Sequence, residues 1–325
     1  MAMSSITLRK TKKQNRSDSL ALGRNKSVSY AKWGYIFILP FFIAYAIFSL
    51  FPLISTIYNS FFENYMMGLE QVGPNFVGFD NYATVLTGGE FARYFSNTIF
   101  IWILGFVPQI LIALLLAVWF TDLRLRLRAL GFFKTVVYLP NMIMAAAFSM
   151  LFYTLFSDAG PINNILNSMG LEAYRFTASA GGTRGLIALM NFLLWFGNTT
   201  ILLMAGIMGI DSSLFESAAI DGAKAWQVFR KVTLPLLKPI MIYVLITCLI
   251  GGIQMFDIPQ IFTKGDGNPD KAAMTVTMFL NQHLYSKNFG MAGAVSVIMF
   301  IITAVLSVLI FRSIAEKKRK ARRGL

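Results

Sequence analysis

The side chains that could bind a solute lie inside long apolar stretches of this sequence, and they are amides, hydroxyls and aromatic rings. They are Gln109, Asn191, Asn198, Thr199, Thr200 and Gln254, with Trp195 and Phe256 as neighbouring rings. Polar groups in such stretches are costly and tend to face a bundle interior or a cavity. Asn198, Gln254 and Trp195 combine hydrogen-bonding groups with a flat apolar face, as a sugar requires. The alternative is that these polar groups only hydrogen-bond neighbouring helices.

Residues for catalysis or metal binding are scarce. The single cysteine, Cys248, and the single histidine, His283, exclude a disulfide framework and a Cys/His metal cluster. The sequence contains no Gly-x-x-x-x-Gly-Lys-Ser/Thr phosphate loop. We therefore expect a chain that is not an enzyme, holds no metal or cofactor and does not itself hydrolyse ATP.

The composition is that of a membrane protein. Of the 325 residues, 56% are hydrophobic and 14% are charged, against roughly 25% charged in soluble domains. Six stretches contain no Asp, Glu, Lys or Arg: 33–57, 97–120, 135–156, 186–209, 239–256 and 291–311. A helix of roughly 20 apolar residues crosses a hydrocarbon core and satisfies its own backbone there. The sequence predicts an all-α integral membrane protein with six transmembrane helices.

The basic residues predict the orientation of these helices. Of the 29 Lys and Arg residues, 23 lie in the tails 1–32 and 312–325 and in the connections 121–134 and 210–238. By the positive-inside rule these segments face the cytoplasm, with both termini. Anionic lipid headgroups account for the basic runs beside the spans better than nucleic acid does. The domain organisation is thus a basic tail (1–32), a six-helix domain (33–311) and a second basic tail (312–325).

The connection 210–238 is longer than a link between two helices requires. Ser213 followed by Glu216 fits a capping box at the start of a short helix, and Gly222 can end that helix in the left-handed conformation. Apolar side chains would lie along one side of it: Leu214, Phe215, Ala218 and Ala219.

A second short helix is predicted at about 224–231. It would present Trp226 and end before Pro235, and Pro239 would begin the fifth membrane helix. Exposed apolar side chains on two short helices suggest a docking surface. A segment lying on the membrane surface is the alternative, and the residues alone do not decide between the two.

This connection resembles the "EAA" loop of permease subunits in binding-protein-dependent ABC importers. The residues that carry the resemblance are Glu216-Ser-Ala-Ala-Ile-Asp221-Gly222-Ala223, then Phe229, Leu234-Pro235 and Pro239. Ser217 stands where the motif has its first alanine. Further similarity to sugar permeases, at Phe76–Tyr82 and at Phe262-Thr263, extends the resemblance over roughly residues 33–311. The family is that of the larger maltose permease and its oligosaccharide and glycerol-phosphate relatives.

The resemblance implies a type I ABC importer permease fold and a coupling role for the 210–238 connection. Glu216 would be the charged contact with a cytoplasmic ATPase subunit. Ala218, Ala219 and Gly222 would allow close approach, and Asp221 would hold the turn.

The resemblance also implies a solute path between the helices. Leu194, Trp195 and Asn198 match lining positions of the fourth helix, and Gly252 and Met255 match those of the fifth. Gln254 and Phe256 complete the predicted path.

The implied partners are a second homologous permease, two ABC ATPases that bind ATP and Mg, an extracytoplasmic solute-binding protein and membrane lipid. The expected function is half of a carbohydrate path in the bacterial inner membrane, coupled to the ATPase. The alternative is a self-sufficient secondary transporter, although no ionisable residue lies in the charge-free stretches to relay an ion. Maltodextrins, raffinose-type sugars, uronate oligomers and glycerol phosphates all remain open as solutes.

Overall fold

The computed structural model describes residues 31–122 and 128–323, and the side chains of 32–122 and 128–314. The predicted tail 1–32, except for Lys32, and most of the tail 312–325 lie outside the described side chains. The chain divides into two units, the first ending at Ser55 and the second beginning at Thr56.

Helices dominate both units. In the first, α1 (Ala31–Tyr45) continues through a π-helical turn, Ala46–Leu50, into α2 (Phe51–Asn59), which runs on into the second unit. The remaining helices are α3 (Asp80–Thr87), α4 (Glu90–Thr121), α5 (Leu130–Tyr138), α6 (Ala145–Leu155), α7 (Pro161–Ser168), α8 (Ala180–Met208), α9 (Ser212–Ile220), α10 (Ala225–Val228), α11 (Leu234–Ile253), α12 (Asp257–Phe262), α13 (Val276–Tyr285) and α14 (Phe289–Arg323). One antiparallel hairpin, β1 (Phe62–Met67) and β2 (Glu70–Phe76), adds a small sheet that the sequence analysis did not predict.

Among the described residues, five helical stretches are long and apolar enough to cross a membrane: Lys32–Asn59, Glu90–Thr121, Ala180–Met208, Ala225–Phe262 and Phe289–Ile314. The remaining predicted window, 135–156, is a broken pair, Leu130–Met142 and Ala145–Leu155, bent by 88°. Pro140 lies in the 3-10 turn at this break, where its missing N–H and rigid ring disfavour a continuous helix. Counted as one span, the pair completes the six predicted spans.

Helices α4 and α8 pack closely along the centre of the second unit. Gly105 on α4 makes this approach possible, because a Cβ there would lie 2.8 Å from the carbonyl oxygen of Ala188. Gly197 likewise allows a close backbone approach on another side of α8, because a Cβ there would overlap the backbone of Val137. Small residues at such contacts let helix backbones approach in a membrane, where packing drives association.

Buried polar contacts fix the segment between α12 and α13. Asn97 Nδ2 donates to the carbonyl oxygens of Lys271, at 3.0 Å, and Met274, at 3.3 Å. Arg184 Nη2 donates to Asn97 Oδ1 at 2.6 Å, and its Nε donates to the carbonyl oxygen of Ala272 at 2.8 Å. These bonds join α4, α8 and the 257–290 segment in one network.

His283 lies in the last turn of α13. Its ring packs edge-on against Phe279, with centroids 4.6 Å apart. Burial lowers the pKa of His283 from its usual 6.5, and the nearby Glu90 carboxylate opposes that shift.

Candidate functional site

A cavity of about 220 Å³ lies between α4, α8 and α11. Residues that face it are Trp102, Gly105, Phe106, Gln109, Asn191, Trp195, Asn198, Thr199, Leu202, Tyr243, Val244, Thr247, Cys248, Gly251, Gly252 and Met255. Ligand pockets usually measure about 300–1,000 Å³. The smaller volume fits a chain that supplies part of a path and shares the rest.

Some polar groups of the cavity already have hydrogen-bond partners within the protein. Gln109 Nε2 donates to Thr199 Oγ1 at 2.8 Å and lies 3.7 Å from Cys248 Sγ. Asn191 Nδ2 donates to the carbonyl oxygen of Ile187 at 2.9 Å. The Gln109 amide thus joins α4 to α8, whereas the bond of Asn191 to Ile187 lies within α8.

Asn198 and Trp195 differ from them. Asn198 is half-buried and Trp195 is 51% exposed. Neither the Asn198 amide nor the Trp195 indole N–H forms a hydrogen bond within the described part of the chain. Both groups face the cavity and are therefore able to bind a solute.

Four of the seven predicted path residues line this cavity: Trp195, Asn198, Gly252 and Met255. The other three lie elsewhere. Leu194 is buried in the core, Gln254 caps the end of α11 and is exposed, and Phe256 packs against a separate core cluster.

Trp102, Phe106 and Tyr243 line the cavity but are not among the predicted path residues. Trp102, Gly105, Phe106 and Gln109 recur at helical spacing on α4, so they share one face with an amide already singled out. That spacing around Gln109 is the signal that could have identified Trp102.

The structure corrects the predicted start of the first short helix in the 210–238 connection. Asp211 is the N-cap of α9, and its Oδ1 accepts a hydrogen bond from the Ser213 N–H at 2.9 Å. This bond lowers the pKa of Asp211 below 3.8. The capping box of Ser213 and Glu216 is therefore wrong, because the helix begins before Ser213 and Glu216 lies in its second turn.

The end of that helix agrees with the sequence. Asp221 is the C-cap of α9 and Gly222 follows with φ +69°, a conformation that favours glycine.

The prediction that Pro235 ends the second short helix is wrong. Helix α10 passes through a π-helical turn, Phe229–Thr233, into α11, with Pro235 in its first turn and Pro239 inside it. The missing N–H of Pro235 interrupts regular α-helical bonding to the preceding turn, and the π-helical turn lies at that point.

An apolar groove of about 430 Å³ lies between the 210–238 connection and the ends of α4 and α8. Of the five predicted coupling residues, Glu216 and Ala219 line it, whereas Ala218, Asp221 and Gly222 do not. Large apolar side chains of the same connection are exposed: Ile220 is 87% exposed and Trp226 is 66% exposed.

The spans and the cavity between α4, α8 and α11 define a helical membrane protein with several spans and a partly polar cavity among them. The fold resembles the crystal structure of a bacterial ABC transporter involved in the import of the acidic polysaccharide alginate. The TM-score is 0.72 at 23% identity, covering 90% of this chain and 98% of that chain. The protein belongs to the family described as "Binding-protein-dependent transport system inner membrane component", which it matches over residues 86–321. It is a multi-pass protein of the inner membrane.

Curated relatives are similar over most of their length. The lactose transport system permease protein LacF of Rhizobium radiobacter is 29% identical over 88% of this chain and 95% of its own. The arabinooligosaccharides transport system permease protein AraP of Halalkalibacterium halodurans is 31% identical over 84% and 85%. The trehalose/maltose transport system permease protein MalF of Thermococcus litoralis is 28% identical over 84% and 90%.

Proposed function

We propose that this permease forms half of the path of a carbohydrate ABC importer and is moved by a cytoplasmic ATPase through the 210–238 connection. The observation that carries the carbohydrate assignment is the cavity at Trp195 and Asn198, where an exposed indole lies near an unpaired amide. Flat rings with a few placed polar groups are the usual lining of a specific ligand site. The named solutes of three relatives, lactose, arabinooligosaccharides and trehalose/maltose, support the same class.

The partners follow from this role. A second homologous permease would close the path, two ABC ATPases would bind ATP and Mg, and a solute-binding protein would deliver the sugar. Membrane lipid would surround the spans. The chain itself would have no catalytic role, and both of its termini would face the cytoplasm.

The coupling role is supported by the exposed side chains of the connection. Glu216 is exposed and lies at the rim of the apolar groove, and Trp226 and Ile220 project nearby. Exposed apolar side chains of this size mark interaction sites. Closure of the docked ATPases would tilt α8 and α11, which flank the connection, and open the cavity alternately to the two sides.

The test is Glu216→Lys in cells that lack the native copy. Because the charge of the proposed contact is reversed, we expect uptake of the carried sugar to fall to background while the amount of membrane-inserted protein stays unchanged. Glu172→Lys is the matched control, since Glu172 is also exposed but far from the connection in sequence; it should transport normally. Normal uptake by Glu216→Lys would remove Glu216 from coupling.

A secondary transporter would accumulate sugar under a proton or sodium gradient without any ATPase, and our proposal predicts the opposite. The purified full chain, reconstituted in liposomes without any ATPase, should not accumulate sugar under a proton or sodium gradient. Uphill accumulation in that preparation would contradict the proposed function.

A further inference from the structure

Trp102 is the largest cavity residue that the predicted path leaves out. It lies on α4, lines the cavity with Trp195, and stacks on Phe106 with ring centroids 5.0 Å apart and planes at 15°. The stack orients the indole, since aromatic pairs of this geometry are attractive beyond their buried area.

Gly252 on α11 makes room for this indole. A Cβ at Gly252 would overlap the pyrrole ring of Trp102, at Cδ1, Cγ and Nε1. Gly251, the next residue, also lines the cavity but has open space where a Cβ would lie. Of these two adjacent glycines, Gly252 alone is required by the position of Trp102.

The indole N–H of Trp102 forms no hydrogen bond with the described residues, although a partly buried indole N–H usually has a partner. The unpaired Asn198 amide faces the same cavity. The cavity thus offers a donor and an amide beside stacked rings, and the side chains that line it are uncharged. Hydroxyl groups can satisfy such donors, whereas a carboxylate or phosphate placed there would lose hydration without gaining a counter-ion.

We propose that Trp102, held over Gly252, is a specificity-determining residue that binds a neutral saccharide through its indole N–H and ring. This inference rests on the proposed carbohydrate function and narrows it to sugars without carboxylate or phosphate groups. Trp102, Gly252 and Asn198 would act as one recognition surface, with Trp195 as the second ring.

The experiment measures uptake in cells that lack the native copy and carry the full chain with its partner subunits. The probes are lactose, maltose, trehalose and an arabino-oligosaccharide, against an alginate oligomer and glycerol phosphate. We expect uptake of at least one neutral sugar and of neither anionic probe. Uptake of none of these compounds would overturn the proposed function itself, and uptake of an anionic probe alone would overturn only its narrowing to neutral sugars.

Substitutions at Trp102 then test its role. One lost hydrogen bond corresponds to a change of about 3- to 10-fold in affinity. Trp102→Phe should therefore raise the KM for the carried sugar by about that factor and leave the maximal rate within about twofold. Gly252→Ala should raise KM similarly by displacing the indole, whereas Gly185→Ala, which adds a methyl in open space on α8 away from the cavity lining, should not. In a Trp102→Ala background, Gly252→Ala should add nothing.

Cys248 provides a direct measure of binding, because it lines the cavity and is the single cysteine of the chain. In membranes, the carried sugar should slow labelling of Cys248 by N-ethylmaleimide, and Trp102→Phe should raise the sugar concentration that gives half-protection. If Trp102 only packs helices, its substitution would change labelling without sugar but leave the half-protecting concentration and KM unaltered. That result, with sugar uptake intact, would overturn the inference and leave the proposed function standing.

Discussion

The 210–238 connection and the 257–290 segment lie at opposite ends of the same helical span, Ala225–Phe262. They differ in burial and in hydrogen bonding. In the 257–290 segment the residues from Ala273 to Val276 have no exposed surface. In the 210–238 connection, by contrast, most residues are exposed, including Ile220 and Trp226. The 257–290 segment is buried by other parts of the same chain, whereas the 210–238 connection leaves large apolar side chains exposed.

Hydrogen bonding shows the same difference. The 257–290 segment is tied to distant helices: Asn97, Arg184 and Thr98 each bond to its backbone. In the 210–238 connection, the side-chain bonds of Asp211, Ser217 and Gln227 reach at most four residues along the chain. The connection meets the other helices through apolar packing instead, with Phe215 and Leu237 against a core cluster that includes Leu203. Movement of the connection requires these apolar contacts to shift, whereas movement of the 257–290 segment requires its hydrogen-bond network to break.

The largest effect predicted from this contrast is on Asn97. Asn97→Ala removes its bonds to Lys271, Met274 and Arg184 and leaves buried partners unsatisfied. At about 1–3 kcal/mol for an unsatisfied buried group, we expect a loss of about 3 kcal/mol of stability. Thermal unfolding of the detergent-solubilised protein, followed by size exclusion, measures the change.

Asn75→Ala is the control for that prediction. Asn75 carries the same amide on the exposed hairpin, where it donates to Glu63 Oε2 at 3.4 Å. It should unfold at the wild-type temperature. Equal unfolding temperatures for Asn97→Ala and wild type would mean that the 257–290 segment is not held by the network.

A smaller and more local effect is expected at Gly222. With φ +69° and open space around its Cα, Gly222→Ala meets no clash and costs only the left-handed backbone strain, roughly 1 kcal/mol. Because Gly222 lies at an exposed turn of the connection, overall unfolding should stay unchanged while the uptake rate falls several-fold. Gly209→Ala, at φ −80°, should leave the rate unaltered. A lower unfolding temperature for Gly222→Ala would show that the connection is part of the stable core.

The sequence predicted those features that depend on local pattern. Charge-free stretches identified every span, and Gly222 was correctly placed at the end of a helix. The break at Pro140 escaped prediction because a proline in an apolar run either kinks a helix or ends it, depending on what packs around it. The N-cap was assigned to Ser213 because Asp211 and Ser213 are both good caps, and the backbone decides between them.

The membrane cavity was predictable only in part. Trp195 and Asn198 were found from residue type, but the role of Trp102 depends on Gly252, which lies 150 positions away in the sequence. Similarly, nothing local to Asn97 indicates that its partners are Lys271 and Met274. Contacts between distant segments follow from helix packing, which one sequence does not reveal.

The smallest predicted effect is a response to pH that only the 257–290 segment should show. Burial lowers the pKa of His283 from 6.5, so below that pH the folded protein binds fewer protons than the unfolded chain. Stability contributed by the neutral ring is therefore present above about pH 6.5 and declines as the pH falls toward the folded pKa. The pKa of Asp211 lies below 3.8, so the 210–238 connection should not respond between pH 7 and 5. Hydrogen exchange of peptides covering 276–288 and 210–222, corrected for the intrinsic pH dependence, measures both. His283→Asn should abolish the response of the first peptide, and a response of equal size in the second would remove the contrast between the two segments.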